Sequence, residues 1–114
     1  MASKRIQRVN QLIKKELSRI ILKEIEFPLD VLVTITRAET TSDLKESNVW
    51  VSVFPEEKAE KNIDFLNRKI YLLQQKINRR LKMRPIPRIR FLEEKKTSEA
   101  GNIEEILEEL KTDK

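Results

Sequence analysis

One apolar stripe runs through Ala59, Ile63, Leu66, Ile70, Leu73, Ile77 and Leu81, so the 27 residues from Glu57 to Met83 carry a single helical pattern. A straight helix of that length would measure roughly 40 Å at about 1.5 Å per residue. A domain of 114 residues has a radius of gyration near 13 Å by the usual size scaling, roughly a third of that length. The helix would overhang its own fold unless it bends. Phe65 and Leu72 lie off the stripe, and this change of phase predicts a kink near Lys69 to Tyr71 between two shorter helices.

The flanking segments switch period. From Lys4 to Ile25 the apolar residues Ile6, Val9, Ile13, Leu17, Ile20 and Ile21 recur at spacings of three and four, which predicts an amphipathic helix. Ser3 is its expected cap, and Phe27-Pro28 ends it, because the residue before proline is pushed out of the α region. Val31 to Ala38 and Asn48 to Phe54 are β-branched with period two and predict two strands joined by a polar loop. Val49, Val51 and Val53 share the face that should meet the helices. Pro85 and Pro87 close the long helical region, and the alternation Arg88, Ile89, Arg90, Phe91 predicts a third strand. Asn102 then opens a short acidic helix with Ile103, Ile106, Leu107 and Leu110 on its apolar side. The expected division is a domain over residues 1–95 and an acidic segment over 96–114.

Charge is distributed in blocks. The formal net of +5 resolves into about +5 for residues 1–25, −5 for 26–66, +9 for 67–92 and −4 for 93–114. Between Asn67 and Leu92 stand Arg68, Lys69, Lys76, Arg79, Arg80, Lys82, Arg84, Arg88 and Arg90, with no carboxylate among them. Solvated helix faces usually mix signs, whereas a one-sided basic field on a small domain is the footprint of a polyanion partner. On the first helix Lys4, Arg8, Lys15 and Arg19 fall together opposite the apolar face, which any amphipathic helix would fill with polar groups.

The inventory also excludes. There is no cysteine and no histidine, which removes the disulfide framework, the usual zinc ligands and the common nucleophile and general base. Gly101 is the sole glycine, so no glycine-rich phosphate cradle exists. Neither enzymatic activity nor a cofactor or metal is expected. The apolar runs are short and broken by charge, so a soluble, cytoplasmic protein with no membrane association and no small-molecule substrate is the default.

The order helix, strand, strand, helix, helix, strand predicts an α+β sandwich with helices on one face of a three-stranded sheet, the order of the bacterial-type KH fold. Within that order stand Arg5, Arg8-Val9, Leu32-Val-Thr-Ile-Thr-Arg-Ala-Glu39, Asp43-Leu44, Val49-Trp-Val-Ser-Val-Phe54, Leu81, Arg84, Pro87, Phe91, Asn102-Ile103 and Ile106-Leu107. On these residues the chain resembles the ribosome-binding factor A family. The chain departs from the family where Phe27-Pro28-Leu29 replaces an aspartate-proline-arginine turn, where Lys69 and Tyr71 replace a small residue and a glycine at the kink, and where Glu94 replaces an aspartate. The resemblance implies a KH-like fold lacking the GXXG loop, and so an RNA grip unlike a standard KH clamp.

It also implies a function: binding to small-subunit ribosomal RNA during late maturation of the 30S subunit and 16S rRNA processing, as a monomer. The expected nucleic-acid-binding residues are Lys4, Arg5, Arg8, Lys15 and Arg19 on the first helix, with the nine basic residues from Arg68 to Arg90. A generic RNA-binding or protein-interaction module built on amphipathic basic helices is the alternative. Trp50 could stack on a base, but a strand aromatic more often covers a neighbouring side chain. Asp43 has the setting of a turn-former that accepts backbone N–H bonds.

Overall fold

The computed structural model describes residues 3–95. The acidic helix expected from Asn102, like the rest of the 96–114 segment, lies outside the described residues. Within them the elements are α1 (Lys4–Glu24), β1 (Leu32–Thr40), β2 (Glu46–Phe54), a single 3-10 turn (Glu56–Lys58), α2 (Ala59–Arg68), α3 (Ile70–Arg80) and β3 (Arg88–Glu93). The expected order is the observed one.

α1 starts where Ser3, in extended backbone, accepts the Ile6 N–H on its Oγ at 3.1 Å. This satisfies one of the orphan donors of the first turn. It stops at Ile25, itself extended, three residues short of Pro28. All six residues of its apolar stripe are buried.

β1 and β2 pair antiparallel and β2 and β3 pair parallel, giving the sheet order β1-β2-β3. Both hairpin strands run further into the polar linker than alternation alone predicts. Thr40 and Ser47 are buried there, and Thr40 Oγ1 donates to Ser47 Oγ at 3.2 Å, so their hydroxyls satisfy each other inside the core. The register slips between Ile35 and Arg37, where Thr36 is the extra residue of a β-bulge. The slip exchanges faces: Ile35 and Ala38 point to the core and Arg37 points away.

The long helical stripe breaks at Lys69, whose φ of −94° and ψ of 9° lie in the bridge region between α and β. Its N–H is shared between the carbonyls of Phe65 (3.2 Å) and Leu66 (3.0 Å), and its own carbonyl accepts the Leu73 N–H at 3.1 Å as α3 begins. Because φ stays negative, no glycine is needed, and lysine occupies the position that the family resemblance assigns to a small residue. The break sends the two halves to different partners: α2 packs on β2 and β3, α3 on α1 and β3.

Helices cover one face of the sheet. Val49, Val51 and Val53 from β2, Ile89 and Phe91 from β3, Ile13 and Leu17 from α1, Leu66 from α2, and Leu73 and Ile77 from α3 close a single core. The other face of the sheet carries no helix among the described residues. No helix among them is long and apolar enough to cross a membrane.

Candidate nucleic-acid interface

α3 lies beside α1 because the break at Lys69 turns it there, and the two helices enclose a groove of about 420 Å³ lined by Arg19, Ile20, Lys23, Glu24, Lys76, Arg79 and Arg80. Charge crosses it in both directions. Arg80 Nε donates to Glu16 Oε1 at 2.8 Å, Arg19 lies 3.8 Å from the same carboxylate, and Lys76 Nζ lies 3.4 Å from Glu24 Oε2. The basic block is therefore less one-sided in space than along the chain, since α1 brings two carboxylates to it. The cations stay more than a third exposed, and such pairs exchange readily for a stronger anion. Lys23 and Arg79 in the same groove have no acidic partner within ion-pair distance among the described residues.

A second cleft, of about 570 Å³, opens on the opposite flank of α1 against the edge strand β1. Lys4, Arg8 and Lys14 project into it from α1, with Thr36, Arg37 and Ala38 opposite. Asn10 anchors this flank, its Oδ1 accepting the Thr40 N–H at 2.8 Å. Lys15 and Arg5 remain exposed on α1 outside both hollows.

The remaining sequence-predicted residues scatter. Arg88 and Arg90 stand on the bare face of the sheet, level with Glu46 and Asn48, because β3 alternates and turns Ile89 and Phe91 inward. The bend thus joins the cations of α3 to α1 but leaves those of β3 on the other side of the molecule. Arg84, after α3, donates back to the Met83 carbonyl at 2.8 Å. Lys69 Nζ sits 5.6 Å above the Phe65 ring, and Arg68 and Lys82 are exposed. Lys14, Lys23 and Arg37 line the hollows without having been singled out from sequence. The first two sit on the flanks of α1, which a pattern of opposite faces passes over.

On the bare face Arg37 lies 4.0 Å over the Trp50 ring. Its Nε donates to Glu94 Oε1 at 2.9 Å and its Nη1 to Glu39 Oε2 at 2.6 Å, while Thr36 Oγ1 donates to Glu94 at 2.7 Å. Burial raises the Glu94 pKa, but the bonds from Arg37 and Thr36 outweigh it and hold the carboxyl below its ordinary value. Trp50 thus packs under a protein cation, the ordinary role of a strand aromatic. Asp43 Oδ1 accepts from the Lys45 N–H at 3.0 Å and from Thr41 Oγ1, the turn-forming role its loop position suggests.

No group of carboxylates suited to a metal is found among the described residues. The helix layer presents exposed cations in two separate hollows. The family model of ribosome-binding factor A matches residues 5–107. The chain belongs to the ribosome-binding factor A family. A ribosome-binding factor A from Clostridium botulinum (strain Loch Maree) is 37% identical over 117 aligned positions, covering 100% of this chain and 97% of that protein. One from Clostridium perfringens (strain SM101) is 33% identical, covering 97% and 98%. The crystal structure of ribosome-binding factor A from Thermus thermophilus superposes with a TM-score of 0.68 at 27% identity, over 77% of this chain and 94% of that one. A Thermotoga maritima solution structure, 24% identical, shares the fold with a TM-score of 0.60 over 75% and 87%. Ribosome-binding factor A structures thus have this α+β, KH-like architecture of helices on one sheet face.

Proposed function

We propose that this chain binds small-subunit ribosomal RNA during late maturation of the 30S subunit and 16S rRNA processing, as a monomeric, cytoplasmic assembly factor without catalytic activity. The observation that carries the reading is the α1–α3 groove, where Lys23 and Arg79 have no acidic partner among the described residues and Arg19, Lys76 and Arg80 are held by exchangeable ion pairs. The relatives are named ribosome-binding factors, and a cationic groove on the helix layer is a chemistry that would hold a ribosomal partner. Such cations reach phosphate oxygens, so shape and backbone are read in preference to base edges. Trp50 adds no stacking platform to this reading, because Arg37 covers one face of its ring.

Salt titration tests it. With several phosphates neutralised, log K for folded small-subunit RNA should fall against log salt with a slope of at least about −3, at roughly 0.7 to 0.9 per contact. Lys23→Glu with Arg79→Glu should flatten the slope and weaken binding while the melting temperature stays close to the parent's, since exposed substitutions usually change stability by less than about 0.5 kcal/mol. A slope near zero for the parent would rule the reading out.

A protein-interaction module is the second reading, favoured by Leu22, Leu29, Leu32 and Phe54, which expose 87, 105, 65 and 62% of their surface. Leu29→Ser with Leu32→Ser should then weaken binding to immature subunits while leaving naked RNA affinity unchanged.

A further inference from the structure

We infer that the cleft between α1 and β1 is a second phosphate-binding site, taking an RNA backbone separate from the one in the α1–α3 groove, so that α1 lies between two RNA segments. The inference rests on the RNA-binding reading and adds to it the number and arrangement of the strands held.

Three features of the cleft point to phosphate. Lys4, Arg8 and Lys14 converge there from successive turns of α1, and none has an acidic partner among the described residues. Across from them the facing wall is the edge strand at its bulge, where Arg37 is the ionic group. That charge is already met by Glu39 and Glu94, which lie on its far side. The cleft thus keeps a net positive field with no carboxylate among its lining residues. Asn10 spends its carbonyl oxygen on Thr40 and leaves its amide N–H pair to donate. Lysine, arginine and amide donors along a cleft are the groups that meet phosphate oxygens in RNA complexes.

The two hollows cannot serve one straight strand. They lie on opposite flanks and at different heights of α1, the first toward β1 along residues 4–14 and the second toward α3 along residues 19–24. A helix with its side chains is about 10 to 12 Å across. With a rise of about 1.5 Å per residue the two hollows are also offset by roughly 18 Å along the axis, so the backbones would lie roughly 20 Å apart. That exceeds the Debye length of about 8 to 10 Å near physiological salt, so both can be held with little mutual repulsion. Lys15, exposed on α1 outside both hollows, adds positive charge between them. The ligand class is therefore structured RNA in which two backbones pass within roughly 20 Å of each other, and not a single extended strand.

The experiment counts strands. Full-length protein is titrated with a short RNA duplex at low salt, reading stoichiometry by calorimetry and proximity by energy transfer between duplexes carrying donor or acceptor dyes. Two duplexes per protein are expected, with energy transfer. Lys4→Glu, Arg8→Glu and Lys14→Glu together should reduce this to one duplex, abolish the transfer and lower the salt slope by about 2 to 3. Lys23→Glu with Arg79→Glu should also leave one duplex, held by the other site. If the triple glutamate variant fails to fold, judged by its melting curve, the triple glutamine variant replaces it with the same expectation. One duplex per parent protein, indifferent to the triple substitution, would overturn the second site and leave the α1–α3 groove standing. One duplex weakened by both variants would mean a single RNA wrapping α1, and would overturn the two-backbone arrangement. No binding by the parent would overturn the RNA reading itself.

Discussion

Glu94 shows how much one side chain can tie together. It follows β3, its N–H donates to the Val51 carbonyl at 2.8 Å, and its carboxylate reaches past β2 to Thr36 and Arg37 on β1. All three strands are joined at one point, and the bulge at Thr36 presents the two donors. Since the folded-state pKa of Glu94 is depressed, its contribution is complete above the unfolded value and is lost as pH falls through the folded one. Chemical denaturation from neutral pH down into the acid limb should therefore show Glu94→Gln less stable than the parent at neutral pH, with the difference shrinking in acid. A gap independent of pH would mean that the carboxylate is not charged in these bonds. None of this was legible beforehand. The alternation of β1 predicts a regular strand, and one extra residue in a ladder leaves no mark on composition or period. The same holds for the ion pair of Arg80 with Glu16, 64 positions apart.

Among elements, the broken helix was the most legible, because length alone forbids a straight one and Phe65 with Leu72 marks where the phase shifts. Its mechanism was not legible. The break uses a bridge-region lysine with a shared N–H, so the bend is held by where α2 and α3 pack and not by backbone freedom. Amides 68 to 72 should accordingly exchange hydrogen faster than those one turn away on either side, and uniform protection from Ala59 to Arg80 would contradict a break in the helical ladder there. The same pair of helices governs β3. Asn67 at the end of α2 grips Phe91 by both backbone groups, donating to its carbonyl at 3.0 Å and accepting its N–H at 3.1 Å. Gln74 on α3 accepts the Ile89 N–H at 2.8 Å and donates to the Pro87 carbonyl at 3.1 Å. Asn67→Ala leaves the partly covered Phe91 groups without those bonds and should cost about 1 to 3 kcal/mol, with the Phe91 amide losing exchange protection first. Loss spread evenly over the sheet would argue against a local clamp.

At the scale of the whole molecule, the described residues share one core and should unfold as one unit. Far-ultraviolet circular dichroism follows the three described helices, and the single tryptophan, Trp50, reports from the sheet. The two transitions should coincide. Leu73→Ala, at a site with no exposed surface, should lower both together by about 2 to 5 kcal/mol through the cavity it leaves. Separate midpoints would mean that the helix layer and the sheet are held independently. The sandwich itself was readable from the order of periods, and the α1–α3 half of the basic surface followed once the kink was placed. The dispersal of the other cations was not readable, because which face Arg88 and Arg90 reach depends on β3 joining the sheet beside β2 with Ile89 and Phe91 turned inward.

The clamp on β3 also limits how copies of this chain can associate. A sheet with two open margins can recruit neighbours at both and grow without end. Among the described residues Asn67 and Gln74 occupy backbone groups on the β3 margin, whereas on β1 Asn10 holds the Thr40 N–H, so β1 is the more open margin for extension. Two molecules meeting by that margin would each present a closed one to the outside. Pairing through β1 would then favour a capped pair over an open-ended fibril.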